Sequence, residues 1–600
     1  MPGLYGLVRA AGQPAATEMP PATRWPRYRP RVFHRSEDAL LGAYLRHRGP
    51  DHASSHDSPQ GALALWGHAA DPRTGRHLDA AGLAAALAAE GDQVLDRLEG
   101  AFCALELDRA RGRGRLFNDR LGTLALYWHH HGDLFAVAPR LGLLPEGVRA
   151  AGLNPGAVVN FLSIGHFLGP NTPWKAANHL TPATIVAFDL TTGELTQRRY
   201  WNLRYEADTQ SSTDELCRRL GEAIQESTAL LTAPTEGKAG IFLSGGWDSR
   251  SLLGAAIATG RPPALAITNG VSDEIPGADT WLAKRMARDL GLDFRFCRRD
   301  PEIGPAAWLD GLHKGEITTA NNPENFGQHH LPADYFGDLA YMLKGDVTWG
   351  SGAPALTEEQ SVAKIVPYPL ADRVKGVLQP DLRHQADTLY REQIDSVVRH
   401  CQNDGWTERR DYLWQMGGIN RYILGLGISD EEHIQVRRPL LAGKVFEVYT
   451  TVPRHLRCHK NLFIERIQRF YPRLFAYGRN HVSNIAHYYH YMAPYVREVA
   501  LAHLDAGHDL DGHLDAAAAR RVLEGFAPAL QGIYQPGWKA RLKNRVHDRV
   551  SHRWYRTRWY KEKNLKKFTT SETMLAFHLY LLLDWYHGDL PAPRLRDGWD

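Results

Sequence analysis

The stretch Ala239 to Leu253 reads Ala-Gly-Ile-Phe-Leu-Ser-Gly-Gly-Trp-Asp-Ser-Arg-Ser-Leu-Leu, and its reading decides the fold. A short apolar run, Ile241, Phe242 and Leu243, stops at Ser244-Gly245-Gly246. After Trp247, Asp248, Ser249 and Arg250 a helix-forming apolar run begins. That order predicts a buried parallel strand, a tight glycine turn and a helix start. Glycines let backbone N–H groups close on an anion, and a helix N-terminus adds partial positive charge. Ser244 and Ser249 carry hydroxyls that can donate to phosphate oxygens. Asp248 repels phosphate, so its expected role is to hold a Mg²⁺ that bridges to the phosphates.

Outward from this stretch the pattern repeats. Ser211 to Leu231 has a Ser/Thr/Asp start and helical apolar spacing, which predicts an entry helix. Pro263 to Thr268 is a second buried strand, and Ala278 to Leu290 an amphipathic helix ending at Gly291. Strand, helix, strand, helix at this spacing predicts a parallel, doubly wound sheet, with a nucleotide at the carboxyl ends of its strands. The motif Ser-Gly-Gly-x-Asp-Ser after a strand resembles the pyrophosphate loop of the PP-loop ATP pyrophosphatases, which cut ATP to AMP and pyrophosphate. It is not a Walker A loop, which needs GxxxxGK[ST].

The chain has 600 residues, enough for two or more domains. Its 43% hydrophobic and 23% charged residues are those of a soluble globular protein. The net charge of +4 implies by itself no nucleic-acid or membrane partner, and no apolar run of about 20 residues would span a bilayer. The N-terminus lacks the long apolar core of a signal peptide. The five cysteines are far apart with no C-x-x-C, so disulfides and structural zinc are not expected and a reducing cytoplasm is.

Residues 1–205 read as short strands broken by turns: Leu4 to Val8, Ala62 to Gly67, Gly100 to Asp108, Arg115 to Arg120 and Leu126 to Trp128. That predicts a sheet-rich sandwich with a few helices. The order of motifs resembles the glutamine-hydrolysing domain of asparagine synthetases: Pro2-Gly3-Leu4-Tyr5-Gly6, Arg46 to Asp51, Leu98 to Phe102, Asn118 to Gly122 with Leu126-Tyr127, and Ala138-Pro139-Arg140. The resemblance implies an Ntn-hydrolase-like αββα sandwich over residues 1–205. Members of that family that hydrolyse glutamine begin Met-Cys-Gly, and the exposed cysteine attacks the glutamine amide. Here position 2 is Pro2, which has no thiol or hydroxyl, and no Asn-Gly-Glu segment is found. The expectation is a scaffold domain that makes no ammonia.

Residues 210–600 resemble the synthetase domain of the same family, a PP-loop (adenine nucleotide α-hydrolase-like) parallel α/β domain, here with a helical extension from about residue 490. The resemblance implies that the loop Ser244, Gly245, Gly246, Asp248 and Ser249 binds ATP, and that the backbone near Leu243 and Ile267 holds adenine. Three further stretches match. Met342 to Gly350 falls where the family has Ser-Gly-Glu-Gly-Ser-Asp-Glu. Asp346 takes the first acid, beside the nucleotide-side Gly345, and Trp349 stands where a second metal-binding Asp is expected. Asp273 or Glu274 is a nearby acid for that missing role. Ile434 to Leu441 resembles Ile-Glu-Val-Arg-x-Pro-Phe-Leu, with Gln435 for Glu and Arg437 a candidate contact. Lys460 falls on the family's Gly-Lys-x-x-Leu lysine, which stabilises charge at the α-phosphate or the developing oxyanion.

Met492 to Leu530 reads as helical, Met574 to Trp585 as an apolar core helix, and Lys539 to Lys567 as basic with interleaved aromatics. The basic run fits nucleic acid, a solvated helix face or a peptide surface equally in kind, and nucleic acid is not the expected partner. ATP with Mg²⁺ turns a carboxylate into an acyl-adenylate, which a nitrogen nucleophile then converts to an amide. With no ammonia source of its own, the chain is expected to use an amine already on its substrate. Relatives of that kind are the lasso peptide cyclases, which join a core peptide's N-terminal amine to an Asp or Glu side chain, and the β-lactam and carbapenam synthetases. Chain length and the tail favour the cyclase. Its partners would be a precursor peptide, a leader peptidase and a leader-recognition protein, with Asp346 orienting or deprotonating the amine. An ammonia-fed amidotransferase stays open. A tRNA-modifying enzyme would need reactive cysteines near the loop, and a non-enzymatic scaffold would not keep Ser244 to Ser249 intact.

Overall fold

The computed structural model describes the chain except residues 1, 11–13, 16–17, 23–24, 26–27, 47–51, 234–236, 300–303, 321–334, 351, 481–487, 527–570 and 589–600. Two antiparallel sheets come first. One has six strands, from β1 (Gly3–Arg9), β2 (Tyr28–Arg35), β3 (Ala39–Arg46), β9 (Tyr127–His131), β10 (Leu134–Ala138) and β11 (Asn178–His179), in the order β11-β9-β10-β1-β3-β2. The other follows β13-β12-β8-β7-β5-β4, with β6 beside β5. Its strands are β4 (Ala53–Ser58), β5 (Gly61–Asp71), β6 (Arg76–Leu78), β7 (Glu99–Asp108), β8 (Arg113–Asn118), β12 (Thr184–Asp189) and β13 (Leu195–Arg199).

Period-two alternation sorts their side chains into layers. Leu4, Val8, Leu41, Phe135 and Val137 of the first sheet meet Ala64, Trp66, Cys103, Leu105 and Val186 of the second in one core. The opposite face of the second sheet, with Leu63, Leu65, Phe102 and Phe117, is covered by α1 (Ala80–Glu90) through Leu83 and Leu87. The opposite face of the first, with Tyr5, Leu40 and Tyr44, joins a large core that also takes in α2 (Pro155–Ile164), whose N-cap Asn154 accepts from the Ala157 N–H at 3.2 Å. The expected strands are present, each within a few residues of its reading.

The entry helix is α3 (Thr213–Leu231), capped by Ser212 accepting from the Glu215 N–H at 3.1 Å. A five-stranded parallel sheet follows: β14 (Lys238–Phe242), β15 (Leu265–Gly270), β16 (Asp293–Arg298), β17 (Leu339–Lys344) and β18 (Gln435–Arg437), in the order β16-β15-β14-β17-β18. The helices α4 (Trp247–Ala258) and α5 (Asp279–Asp289) link its first strands. The chain leaves β14 toward β15 and β16 and returns on the other side as β17, so strand order reverses at β14. A ligand crevice belongs beyond the carboxyl ends of the strands at such a point, and that is where the loop 244–249 lies.

Later helices pack around this frame: α6 (Pro380–Val398), α7 (Asn461–Phe470), α8 (Tyr488–Asp505), α9 (Ala516–Glu524) and α10 (Glu572–His587). The apolar helix read at Met574 to Trp585 is α10, with Leu575 through Leu583 buried against the core. No helix among the described residues is long and apolar enough to cross a membrane. The basic stretch Lys539 to Lys567 and the motif residues 47–51 lie outside the described residues.

Candidate active site at the carboxyl end of the parallel sheet

The loop after β14 is built by its own polar groups. Ser244 and Ser249 Oγ atoms are 2.9 Å apart, the Ser244 N–H donates to Ser249 Oγ at 3.1 Å, and the Gly246 N–H donates to Ser244 Oγ at 3.1 Å. Gly245 is required by crowding: a Cβ there would stand 2.6 Å from Asp279 Oδ1. The Leu243 N–H donates to the Ile267 carbonyl at 2.8 Å, so these two backbones are already bound to each other at the strand ends. Arg250 closes the loop from behind. Its guanidinium is buried against the Trp247 ring and donates to the Gly245 carbonyl at 2.7 Å and the Leu474 carbonyl at 3.0 Å. Burial brings its pKa down to about 10.

Asp248, in the first turn of α4, is the centre of the site. Its carboxylate lies 2.9 Å from Lys460 Nζ and accepts from the Val347 N–H at 3.1 Å. Burial pushes the carboxyl above its usual range, opposed chiefly by the Lys460 charge, while the nearby Asp346 adds to the rise. Lys460 also donates to the Val347 carbonyl at 2.8 Å. It arrives from a kinked segment in which His459 and Lys460 have φ of 58° and 55°. Two consecutive non-glycine residues in that region store strain, of the kind found where a side chain must be aimed. The Lys460 N–H donates to the Gly350 carbonyl at 2.8 Å, which ties this segment to the loop that follows β17.

Gly345 has no room for a side chain, because a Cβ would lie 2.6 Å from the Asp248 carbonyl carbon and the Ser249 nitrogen. The end of β17 therefore presses on the start of α4 and brings Gly345 and Asp346 to the loop. Asp346 is held by Arg438, Nε to Oδ2 at 3.0 Å. Ser244, Gly245, Gly246, Asp248, Ser249, Gly345, Asp346 and Lys460 thus gather at one end of the parallel sheet.

One expectation turns out differently. Arg437, the residue of its motif singled out as a candidate contact, is buried 3.8 Å over the Tyr341 ring and donates to the Leu231 carbonyl at 2.7 Å. The neighbouring Arg438 is the one that meets Asp346. Trp349 is a packing residue, donating to the Leu440 carbonyl at 3.0 Å and lying against Tyr449 and Phe463. Asp273 pairs with Lys284 at 2.8 Å. Asp279 was not singled out in the sequence. It lies in the first turn of α5, accepts from Asn480 Nδ2 at 3.0 Å, and burial raises its pKa.

The arrangement suits a polyphosphate. A 12-residue helix N-terminus, two hydroxyls and one ammonium converge at the switch point of the sheet. No cluster of three His, Cys, Asp or Glu side chains that could hold a metal occurs among the described residues. Asp248, with Asp346 nearby, offers the one or two carboxylates that Mg²⁺ takes while drawing its other ligands from phosphates and water.

Residues 68–201 match a protein-family model described as a glutamine amidotransferase domain. No curated protein matches the chain. Among solved structures, similarity is found to an allosteric regulatory enzyme of purine biosynthesis, 12% identical over 50% of this chain and 76% of that one, with a TM-score of 0.21. It is also found to a glutamine phosphoribosylpyrophosphate amidotransferase from B. subtilis in complex with ADP and GMP, 13% identical over 58% and 77%, TM-score 0.21. A third is an NMN synthetase from Francisella tularensis, 22% identical over 23% and 56%, TM-score 0.16. The fold rests on the topology above, and the family match covers the stretch that holds β6 to β13.

Proposed function

We propose that the chain is an ATP-dependent, AMP-forming amide ligase of the asparagine synthetase-like type, and that it closes the macrolactam ring of a lasso peptide. In this reading residues 1–205 are an Ntn-hydrolase-like scaffold and residues 210–600 a PP-loop ligase domain that works in the cytoplasm on a precursor peptide, beside a leader peptidase and a leader-recognition protein. The observation that carries the ligase chemistry is the Asp248–Lys460 pair, 2.9 Å apart at the N-terminus of α4 beside Ser244 and Ser249.

Ser244, Ser249 and the N–H groups of the loop bind the pyrophosphate part of ATP. Asp248 would hold Mg²⁺, whose contribution is to neutralise phosphate charge. Lys460 adds a fixed positive charge where negative charge develops at the reacting carboxyl and α-phosphate. Asp346, anchored by Arg438, orients the attacking amine and takes its proton. A small cavity lies between the antiparallel sheets and the ligase half. That cavity, lined by Arg46, His52, Trp66, His68 and Gln435, has a volume of about 10 Å³, the size of one water.

The reading is tested by mass spectrometry of the full chain with Mg-ATP and a leader-free core peptide encoded beside its gene. Loss of one water from the peptide with equimolar AMP and pyrophosphate is expected. Free amide formation from added ammonium would instead indicate an amidotransferase. Peptide that stays unchanged in the presence of the leader-recognition protein, with no AMP formed, would refute the cyclase.

A further inference from the structure

A line of buried charges runs from the first antiparallel sheet into the ligase site. Arg46, the last residue of β3, lies 3.3 Å from the Glu431 carboxylate and donates through Nε to the Glu431 carbonyl at 2.9 Å. Glu431 Oε1 lies 3.7 Å from Arg438 Nη1 and accepts from the Val436 N–H at 3.1 Å. Arg438 in turn holds Asp346 at 3.0 Å. The side chains of Arg46, Glu431 and Arg438 are 3%, 6% and 4% exposed, so none has water as an alternative partner of comparable reach. The adjacent Asp430 holds Lys344, the last residue of β17, at 2.8 Å. One two-residue segment, Asp430-Glu431, thus clamps both the end of β17 and, through Arg438, the acid that follows it. The Arg438 guanidinium also packs on Gly427, where a Cβ would come within 2.4 Å of its Nη2.

We propose that Arg438 is the positioning residue for Asp346, and that Arg46 of the antiparallel sheet fixes Arg438 through Glu431. The antiparallel half then contributes to the ligase reaction without touching its substrates. In a buried line of alternating charges, removing one member takes from the next a partner that water does not replace. A neutral residue at 46 releases Glu431, Glu431 then draws Arg438 fully to itself, and Asp346 loses its anchor. Burial raises the Glu431 carboxyl while Arg46 and Arg438 oppose the rise, in keeping with a charge that both arginines hold in place.

The proposal rests on the role given to Asp346 above, and its test separates the two. Arg46→Gln, Arg438→Gln, Arg438→Lys and Asp346→Asn are compared in the full chain. The first readout is AMP-forming turnover with the core peptide. Arg46→Gln is expected to lower kcat at least tenfold with KM for ATP unchanged, and Arg438→Lys to recover more of kcat than Arg438→Gln. The second needs no turnover: a double-mutant cycle of Arg46→Gln with Asp346→Asn, read from urea midpoints. The two positions share no contact, and the line of charges makes their effects non-additive. Additive midpoints, or Arg46→Gln with normal kcat, would overturn the proposal. A wild-type chain that forms no AMP would refute the functional reading alone, and the cycle would still decide the coupling.

Discussion

Lys460 is the residue on which most of the site's electrostatics turn. Its ammonium faces the carboxylate of Asp248, 212 positions away in sequence, and its backbone is held at φ 55°. Lys460→Ala is expected to cut AMP-forming turnover by about a hundredfold or more, the scale of losing one aimed charge or donor in a transition state. Lys460→Gly removes the same charge and relieves the left-handed backbone, so it should melt at a higher temperature than Lys460→Ala, by the equivalent of about 1 kcal/mol. Equal melting temperatures would argue against strain at this residue. Trp349 is the opposite case. Buried among Tyr449 and Phe463, it should cost about 3–5 kcal/mol as Trp349→Ala in denaturant titration. Lys460 was legible in the sequence because it fell in an ordered series of motifs. Arg438 was not, since a three-residue strand does not tell which of two adjacent arginines turns inward.

The strand–turn–helix joint depends on two close approaches, Gly245 against Asp279 and Gly345 against the Asp248 and Ser249 backbone. Gly345→Ala puts a methyl against main chain, which cannot swing aside as a side chain can. A loss of about 1–3 kcal/mol in stability is expected, together with weaker nucleotide binding as the start of α4 is pushed from β17. Urea titration and Mg-ATP titration of the same variant check both. At this scale the joint is legible in the sequence because it is local: an apolar run, two glycines and a helix-forming run lie within fifteen residues. The same holds for α3 and its Ser212 cap. The pairing of β17 with β14 was less legible, since about a hundred residues separate them and parallel pairing leaves no turn signature.

For the whole molecule the interior histidines set the response to acid. His166 and His578 are buried, each bonded through Nδ1 to a backbone carbonyl, Ile164 at 3.2 Å and Leu162 at 3.0 Å. Burial lowers their pKa values from 6.5 to about 3 and about 4. A depressed folded pKa means that the unfolded chain takes up protons the folded chain refuses. The stability these groups give is present above pH 6.5 and is lost as pH falls toward 4. Melting temperature should therefore drop between pH 7 and pH 5. His578→Gln should shallow that slope by up to one proton, about 1.4 kcal/mol per pH unit. An unchanged slope would contradict the burial of this histidine between α10 and α2. The change from antiparallel strands, which end at Arg199, to parallel strands, which begin at Lys238, is legible in the switch from period-two strands to alternating strand and helix. The line Arg46–Glu431–Arg438–Asp346 was not, because it joins residues up to 392 positions apart that carry no motif in common.

The central claim, that the loop 244–249 with Asp248 and Lys460 is an ATP-polyphosphate site, is tested most directly by calorimetric titration of the full chain with Mg-ATP and its Lys460→Ala variant. Saturable binding to the wild-type chain, weakened at least tenfold in Lys460→Ala with the melting curve preserved, is the expected result. Equal affinity in the two proteins, or no binding to the wild-type chain, would contradict it.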